Sequence, residues 1–327
     1  MKPQIVDTFG RPHTYLRLSL TDRCNLRCFY CMPEEGIELT EKENIITLEE
    51  ILEISKTFIG LGVDTIRLTG GEPLVRKNLK YLVCELAKLG VRLKLTTNGI
   101  LLDKYYPLFG EIGLKKINVS LDSLDKVKNA FITKRDYYDR IMKNIQNGVD
   151  LGFQIKLNVV LIRGVNDNEI GDFIELTKNQ GITVKFIEFM PFAGNKWDWS
   201  KGVSEKEILT RANKQFGEVD TLKNPKHSTA RNFKVAGYKG IFGIVSTITN
   251  PFCADCNRLR LTADGKMKNC LFANSETDLL TPFRSGKNID SLILESIKMK
   301  KFSRDGMKLK MKAEQYKQNR SMIAIGG

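Results

Sequence analysis

The stretch YLRLSLTDRCNLRCFYCMP, residues 15–33, joins a strand-like run to three closely spaced cysteines. In YLRLS, Leu16 and Leu18 alternate with Tyr15, Arg17 and Ser19, the period of an extended strand. Comparable runs recur at 64–69, 91–96, 115–121, 154–160 and 184–189. Helix-period segments separate them, near 47–61, 78–89, 137–151 and 168–180. The first of these opens on a capping box, Thr47 with Glu50, and ends at Gly60 and Gly62. Strand–helix alternation predicts an α/β fold with a parallel sheet. Six units are too few for a closed eight-stranded barrel. The expectation is therefore a partial (β/α)6-type parallel barrel, with a flat doubly wound sheet as the alternative. Right-handed crossovers put every strand's C-terminal end on one rim, where ligands belong.

The pattern changes after about residue 220. A turn-rich stretch with one β-like run at 241–248 leads to a second cysteine group, a basic tract and the ending IAIGG. The expected division is a barrel over 1–220 and a C-terminal cluster-binding region over 221–327. The 327 residues are 42% hydrophobic and 28% charged, ordinary for a globular chain. No apolar run approaches the roughly 18 residues a spanning helix needs, and the N-terminus lacks an apolar signal segment. A cytoplasmic protein without membrane contact is expected. The net charge of +14 favours an anionic partner. Residues 296–320 alone carry nine Lys/Arg against two Asp/Glu, either a solvated basic helix or a positive wall facing a polyphosphate.

Six of seven cysteines form two triplets, Cys24-x3-Cys28-x2-Cys31 and Cys253-x2-Cys256-x13-Cys270, while Cys84 sits on a helix-period run as a small core residue. In a chain without secretory signals such groups point to metal rather than disulfides. Three thiolates can hold an iron–sulfur cube by three irons and leave the fourth open. Zinc would need a fourth donor. The two histidines offer only His13 for the first triplet, and His227 or Asp255 for the second. TGGEP at 69–73 follows the second strand; Gly70 and Gly71 can bring bare backbone close to a ligand, and Glu72 can accept from an ammonium or cap a helix. In the extended NRLRL run, Arg258 and Arg260 share one face, suited to phosphate or a purine edge. Arg17, Arg67 and Lys156 lie within parallel strands, where a charge is costly unless paired. Several such residues converging on one anion explain them better than separate outward salt bridges.

The first triplet, with Tyr30 before its last cysteine and placed after strand one, resembles the radical S-adenosylmethionine superfamily. That resemblance implies a [4Fe-4S] cluster whose open iron chelates S-adenosylmethionine, with Tyr30, Gly71, Glu72, Ser120 and Met190 as contacts. Both triplets, the Arg-x-Arg after the second, the terminal Gly326–Gly327 and the stretch FIEFMPFAGNKW together resemble the GTP 3′,8-cyclase family of molybdenum cofactor biosynthesis. This implies a second [4Fe-4S] cluster on Cys253, Cys256 and Cys270, and GTP contacts at Arg17, Arg67, Thr96, Lys156, Arg258, Leu259 and Arg260. It implies catalytic roles for Cys24, Cys28, Cys31 and the tail glycines. It also implies abstraction of the ribose C3′ hydrogen, attack on guanine C8, and a separate cyclic pyranopterin monophosphate synthase that consumes the product. The electron donor and a homodimer stay open, and no nucleic-acid partner is expected. The competing readings are a peptide- or sulfatase-maturing enzyme of the same superfamily and a basic zinc-ribbon nucleic-acid binder.

Overall fold

The computed structural model describes residues 4–32, 36–307 and 319–326. The strands β1 (Tyr15–Ser19), β2 (Thr65–Thr69), β3 (Arg92–Thr97), β4 (Lys116–Ser120), β5 (Gln154–Leu161) and β6 (Thr183–Glu188) stand within two residues of the sequence expectation. They pair in sequential order, all parallel. Their connections carry α1 (Leu48–Gly60), α2 (Leu79–Lys88), α3 (Tyr106–Glu111), α4 (Lys126–Thr133), α5 (Tyr138–Asp150) and α6 (Ile170–Glu175). α7 (Glu205–Phe216) follows β6. The capping box of α1 forms as expected, Thr47 accepting from the Glu50 amide and Glu50 from the Thr47 amide. Ile51, Ile54 and Phe58 of α1 are buried against the sheet, each contributing roughly 1.5–3 kcal/mol of burial.

The C-terminal region adds a parallel strand to each edge. β9 (Ile241–Val245) joins β6, and β10 (Arg258–Leu261) joins β1. Short antiparallel strands then continue outward: β7 (Asp220–Thr221) and β8 (Arg231–Lys234) beyond β9, β11 (Lys266–Lys268) and β12 (Thr277–Asp278) beyond β10. The pairings run from β12 to β7 without closing, which makes an open barrel. The sheet thus crosses the expected division at 220. α8 (Leu280–Arg284), α9 (Asp290–Lys298) and a short helix at Met322–Ile325 complete the described elements.

Several elements differ from the sequence reading, α3 and α7 lying outside the four expected helix segments. The helix expected over 168–180 is a 3-10 turn at Asp167–Glu169 followed by the short α6. α4 was not foreseen, because Val127 and Phe131 on it are exposed and blur the apolar stripe. Asp125 caps it, accepting from the Lys128 amide at 2.7 Å.

A parallel sheet covered on both faces normally reads as continuous apolar strands. Here the strands alternate. Leu16, Leu18, Ile66, Leu68, Leu95, Ile117, Val119, Leu157, Val184, Phe186, Leu259 and Leu261 are buried in the main core cluster. The intervening positions are mostly polar, Val160 and Ile187 being exceptions, and many of them line the inside of the barrel. Residues 308–318 of the basic tract 296–320, and the expected catalytic Gly327, lie outside the described residues.

Candidate active site

The first cysteine loop leaves β1 at its C-terminal end. Its backbone is anchored on α4, the Arg27 amide donating to Thr133 O at 2.9 Å and the Phe29 amide to Ile132 O at 3.2 Å. The TGGEP loop grips it from the β2 side: Gly71 N donates to Thr21 O at 2.6 Å and Glu72 N to Arg23 O at 2.8 Å. A Cβ on Gly71 would collide with the Arg23 backbone, so only glycine permits this approach. The bare backbone here therefore serves the cysteine loop itself. Glu72 is buried, accepting from the Leu74 amide, Thr97 Oγ1 and the Asn98 amide. It thus caps the following turn, the blander of its two expected roles, and fixes the end of β3. Burial raises it to about 7 against the pull of these hydrogen bonds.

Burial and negative neighbours surround the first triplet. Burial lifts the Cys24 thiol to about 11. Cys31 rises to about 12 through burial, then the charges of Cys24 and Asp122. Cys28 is pushed well up by burial, then by Asp122 and the other two cysteines. Asp122, itself raised to about 6 by burial, accepts from Tyr30 Oη at 2.7 Å and from the Val160 amide. Three buried thiols that resist ionisation together fit a positively charged metal core, which supplies the missing compensation. Asn98 Nδ2 reaches Cys24 Sγ at 3.9 Å, a contact the sequence reading missed.

The second triplet differs. Cys253 and Cys256 flank a 3-10 turn before β10, and Cys270 follows β11. His227, expected as a zinc alternative, is instead paired with Asp255, the other alternative, through Nδ1 at 2.9 Å. Among the described residues, at the first triplet as at the second, no three His, Cys, Asp or Glu side chains are gathered for a single metal ion. A three-cysteine set without a fourth protein donor fits an iron–sulfur cube.

All three cysteines of the second triplet border a cavity of about 960 Å³ inside the barrel, with Arg17, Arg67, Lys156, Met190, Arg258 and Arg260 in the same wall. Among the described residues, fourteen Lys and Arg but one acid, Asp64, border it. Sheet register explains the concentration. Arg17 stands opposite Arg260 on one side and Arg67 on the other, and Lys94 stands opposite Arg67. Like charges facing across neighbouring strands repel. Burial, then Arg260, drives Arg17 well below its ordinary range. Burial, then Lys156, Arg67 and other cations, lowers Lys185 to about 7. Burial also takes Arg260 down to about 10. Lys94 and Lys185 were not singled out from the sequence; their alternate positions in VRLKLT and VKFIEF were the available signal.

The remaining expected residues fall around this cavity rather than in its wall. Thr96 Oγ1 accepts from Arg67 at 3.2 Å. Ser120 ends β4 on the rim, and Tyr30 and Gly71 belong to the first loop. Leu259 packs in the core on the opposite face of β10, so only its backbone can reach a ligand. Arg258 donates to His227 O at 2.6 Å and lies over the Phe252 ring. Arg260 donates to Gly326 O at 2.5 Å. Gly326, at φ +76°, is wedged against Thr69 and Ser19 with no room for a Cβ. The described part of the tail lies among the strand ends. Ile325 packs with Phe192, Ile248 and Phe272, beside Met190 and Cys270.

The profile of the Radical SAM superfamily matches residues 18–177, and that of Molybdenum Cofactor Synthesis C matches 182–305. Fold and first cysteine loop thus define the radical S-adenosylmethionine class. Among solved structures, SuiB of Streptococcus suis superposes with a TM-score of 0.58 at 15% identity, over 88% of this chain and 67% of that one, a likeness of fold alone. The mitochondrial GTP 3′,8-cyclase of Arabidopsis thaliana is 46% identical over 99% of this chain and 83% of its own length. The GTP 3′,8-cyclase of Peptoclostridium acidaminophilum is 44% identical over 91% of this chain and 93% of its own. The chain belongs to the GTP 3′,8-cyclase family. It spans about half the length of the animal relatives named molybdenum cofactor biosynthesis protein 1. No helix among the described residues is long and apolar enough to cross a membrane.

Proposed function

We propose that this chain converts GTP to (8S)-3′,8-cyclo-7,8-dihydroguanosine 5′-triphosphate in molybdenum cofactor biosynthesis. The observation that carries the reading is the cavity itself: a second cysteine triplet in a wall of cations with almost no acids. A triphosphate relieves the repulsion among Arg17, Arg67, Lys94, Lys156 and Lys185, and the guanine faces the second triplet. Cys24, Cys28 and Cys31 hold one [4Fe-4S] cluster, and Cys253, Cys256 and Cys270 a second. With S-adenosylmethionine bound at the first, the chemistry supplied is 5′-deoxyadenosyl abstraction of the ribose C3′ hydrogen, after which C3′ bonds to guanine C8.

The protein's part is positioning and exclusion of water. Tyr30, Gly71, Glu72, Ser120 and Met190 frame S-adenosylmethionine. Tyr30 is held by Asp122, and Glu72 keeps acceptor capacity beyond its three present donors. Arg67 is preset by Tyr15 Oη at 2.5 Å and Leu95 O at 2.8 Å, so it meets phosphate with little reorganisation. Arg258, Arg260, Thr96 and the Leu259 backbone complete the nucleotide site, and the tail glycines Gly326 and Gly327 take the catalytic part that the family resemblance implies. A reducing, cytoplasmic compartment suits seven free cysteines. The product passes to a separate cyclic pyranopterin monophosphate synthase, and an external donor supplies two electrons, one for cleavage of S-adenosylmethionine and one that, with a proton, quenches the guanine radical left by cyclisation. GTP deuterated at C3′ tests the reaction. Mass spectrometry should find deuterium in 5′-deoxyadenosine, and its absence under turnover excludes C3′ abstraction.

A further inference from the structure

Lys300 follows α9 and is 4% exposed. Its ammonium reaches both loops that carry the later cysteines. Nζ donates to Arg258 O at 3.3 Å and to Asn269 O, the residue before Cys270, and it approaches Cys256 Sγ at 4.0 Å. Among the described residues it forms no ion pair with a carboxylate. A buried ammonium whose hydrogen-bond partners are carbonyls and a sulfur is costly unless an anion stands beside it. Arg11, nearby, is different. It donates to Cys253 O at 2.6 Å and Phe302 O at 2.7 Å, but Asp7 neutralises it at 2.7 Å. The segment 300–302 thus touches the Cys256 and Cys270 loops through Lys300 and is tied to Cys253 O only through Arg11, and Lys300 brings to the two loops a charge with no acid of its own.

The electrostatics of the thiols agree. Burial raises Cys256, yet Lys300 and then Arg258 pull it below its ordinary value. At Cys270 burial prevails, with Lys300 the strongest opposing influence.

We propose that Lys300 is the fixed counter-charge of the second iron–sulfur site, setting the spacing of the Cys256 and Cys270 loops and raising the site's reduction potential. The inference rests on the second-cluster reading above. Hydrogen bonds to ligand sulfur and local charge are the protein's levers on cluster potential. An ammonium beside a ligand sulfur favours the state that has gained an electron.

The test uses the full chain reconstituted anaerobically, with Lys300→Met and Lys300→Arg. Iron and sulfide are counted, and each protein is titrated by EPR, the second-site signal being the one that GTP alters. Lys300→Met should lower the second-site potential by at least tenfold in the reduction equilibrium, about 59 mV for one electron, or shed that cluster's iron. Lys300→Arg should keep the iron and recover most of the potential, and the first-site signal should not move in either. An unchanged potential and iron content in Lys300→Met overturns the proposal. So does Lys300→Arg behaving like Lys300→Met, since shape rather than charge would then be required. Wild-type protein holding only four irons refutes the second-cluster reading itself, before any Lys300 variant is compared.

Discussion

The two cysteine triplets have the same number of sulfurs and opposite surroundings. The first lies beside Asp122 and Glu72, and its thiols are all raised. The second lies beside Lys300, Arg258 and Arg260, and Cys256 falls below its ordinary value. Burial raises Cys270 as it raises the first triplet, so the sign of the neighbouring charge shows in Cys256, which Lys300 and Arg258 pull down. An anionic setting disfavours adding an electron, and a site that holds its cluster there is suited to give electrons away. A cationic setting suits a site that binds an anionic nucleotide.

The largest test of this contrast separates the triplets by function. Replacing Cys24, Cys28 or Cys31 with Ala should abolish S-adenosylmethionine cleavage, measured as 5′-deoxyadenosine by chromatography. Replacing Cys253, Cys256 or Cys270 should leave cleavage measurable while removing GTP binding and cyclised product. Equal loss of cleavage in both sets would break the division. A smaller effect concerns Lys185. With its empty-site value lowered to about 7, it is largely neutral at pH 8.5, and a bound triphosphate should recharge it. Binding calorimetry in buffers of different ionisation enthalpy should show proton uptake at that pH. Affinity should fall as pH rises above 7, and Lys185→Met should remove the uptake. The same depression bears on stability: between about 7 and the ordinary lysine value the unfolded chain binds the extra proton. The cost of burying Lys185 is therefore full below 7 and fades as pH rises toward that value. The smallest effect is in the cluster-free protein. Iodoacetamide at pH 8 should label Cys256 before Cys28 or Cys31, read by peptide mass spectrometry, and labelling in the reverse order would contradict the contrast.

Much of the architecture was legible because apolar and polar residues alternate along six strands and Thr47 with Glu50 marks a helix start. The triplets were legible by spacing. The cation wall was legible only in part. Arg17, Arg67 and Lys156 stood out as charges within strands, whereas Lys94 and Lys185 become neighbours only through parallel register. Lys300 and Asp122 could not be found by pattern, since each acts across long sequence separations, Lys300 on Cys256 and Asp122 on Tyr30. The sequence also suggested a boundary at 220 because composition changes there. Composition does not report strand pairing, and β9 and β10 pair with strands of the other half.

That pairing has a consequence for synthesis. β1 is made early, yet the neighbour on one of its sides, beginning at Arg258, leaves the ribosome only when most of the chain is already out. β6 waits similarly for Ile241. Between completion of β6 at Glu188 and emergence of Ile241 the nascent polypeptide carries both unsatisfied flanks, able to capture foreign strands. Closure of the two flanks is therefore a late, long-range step, of the kind that folds slowly and leaves edges exposed to aggregation meanwhile.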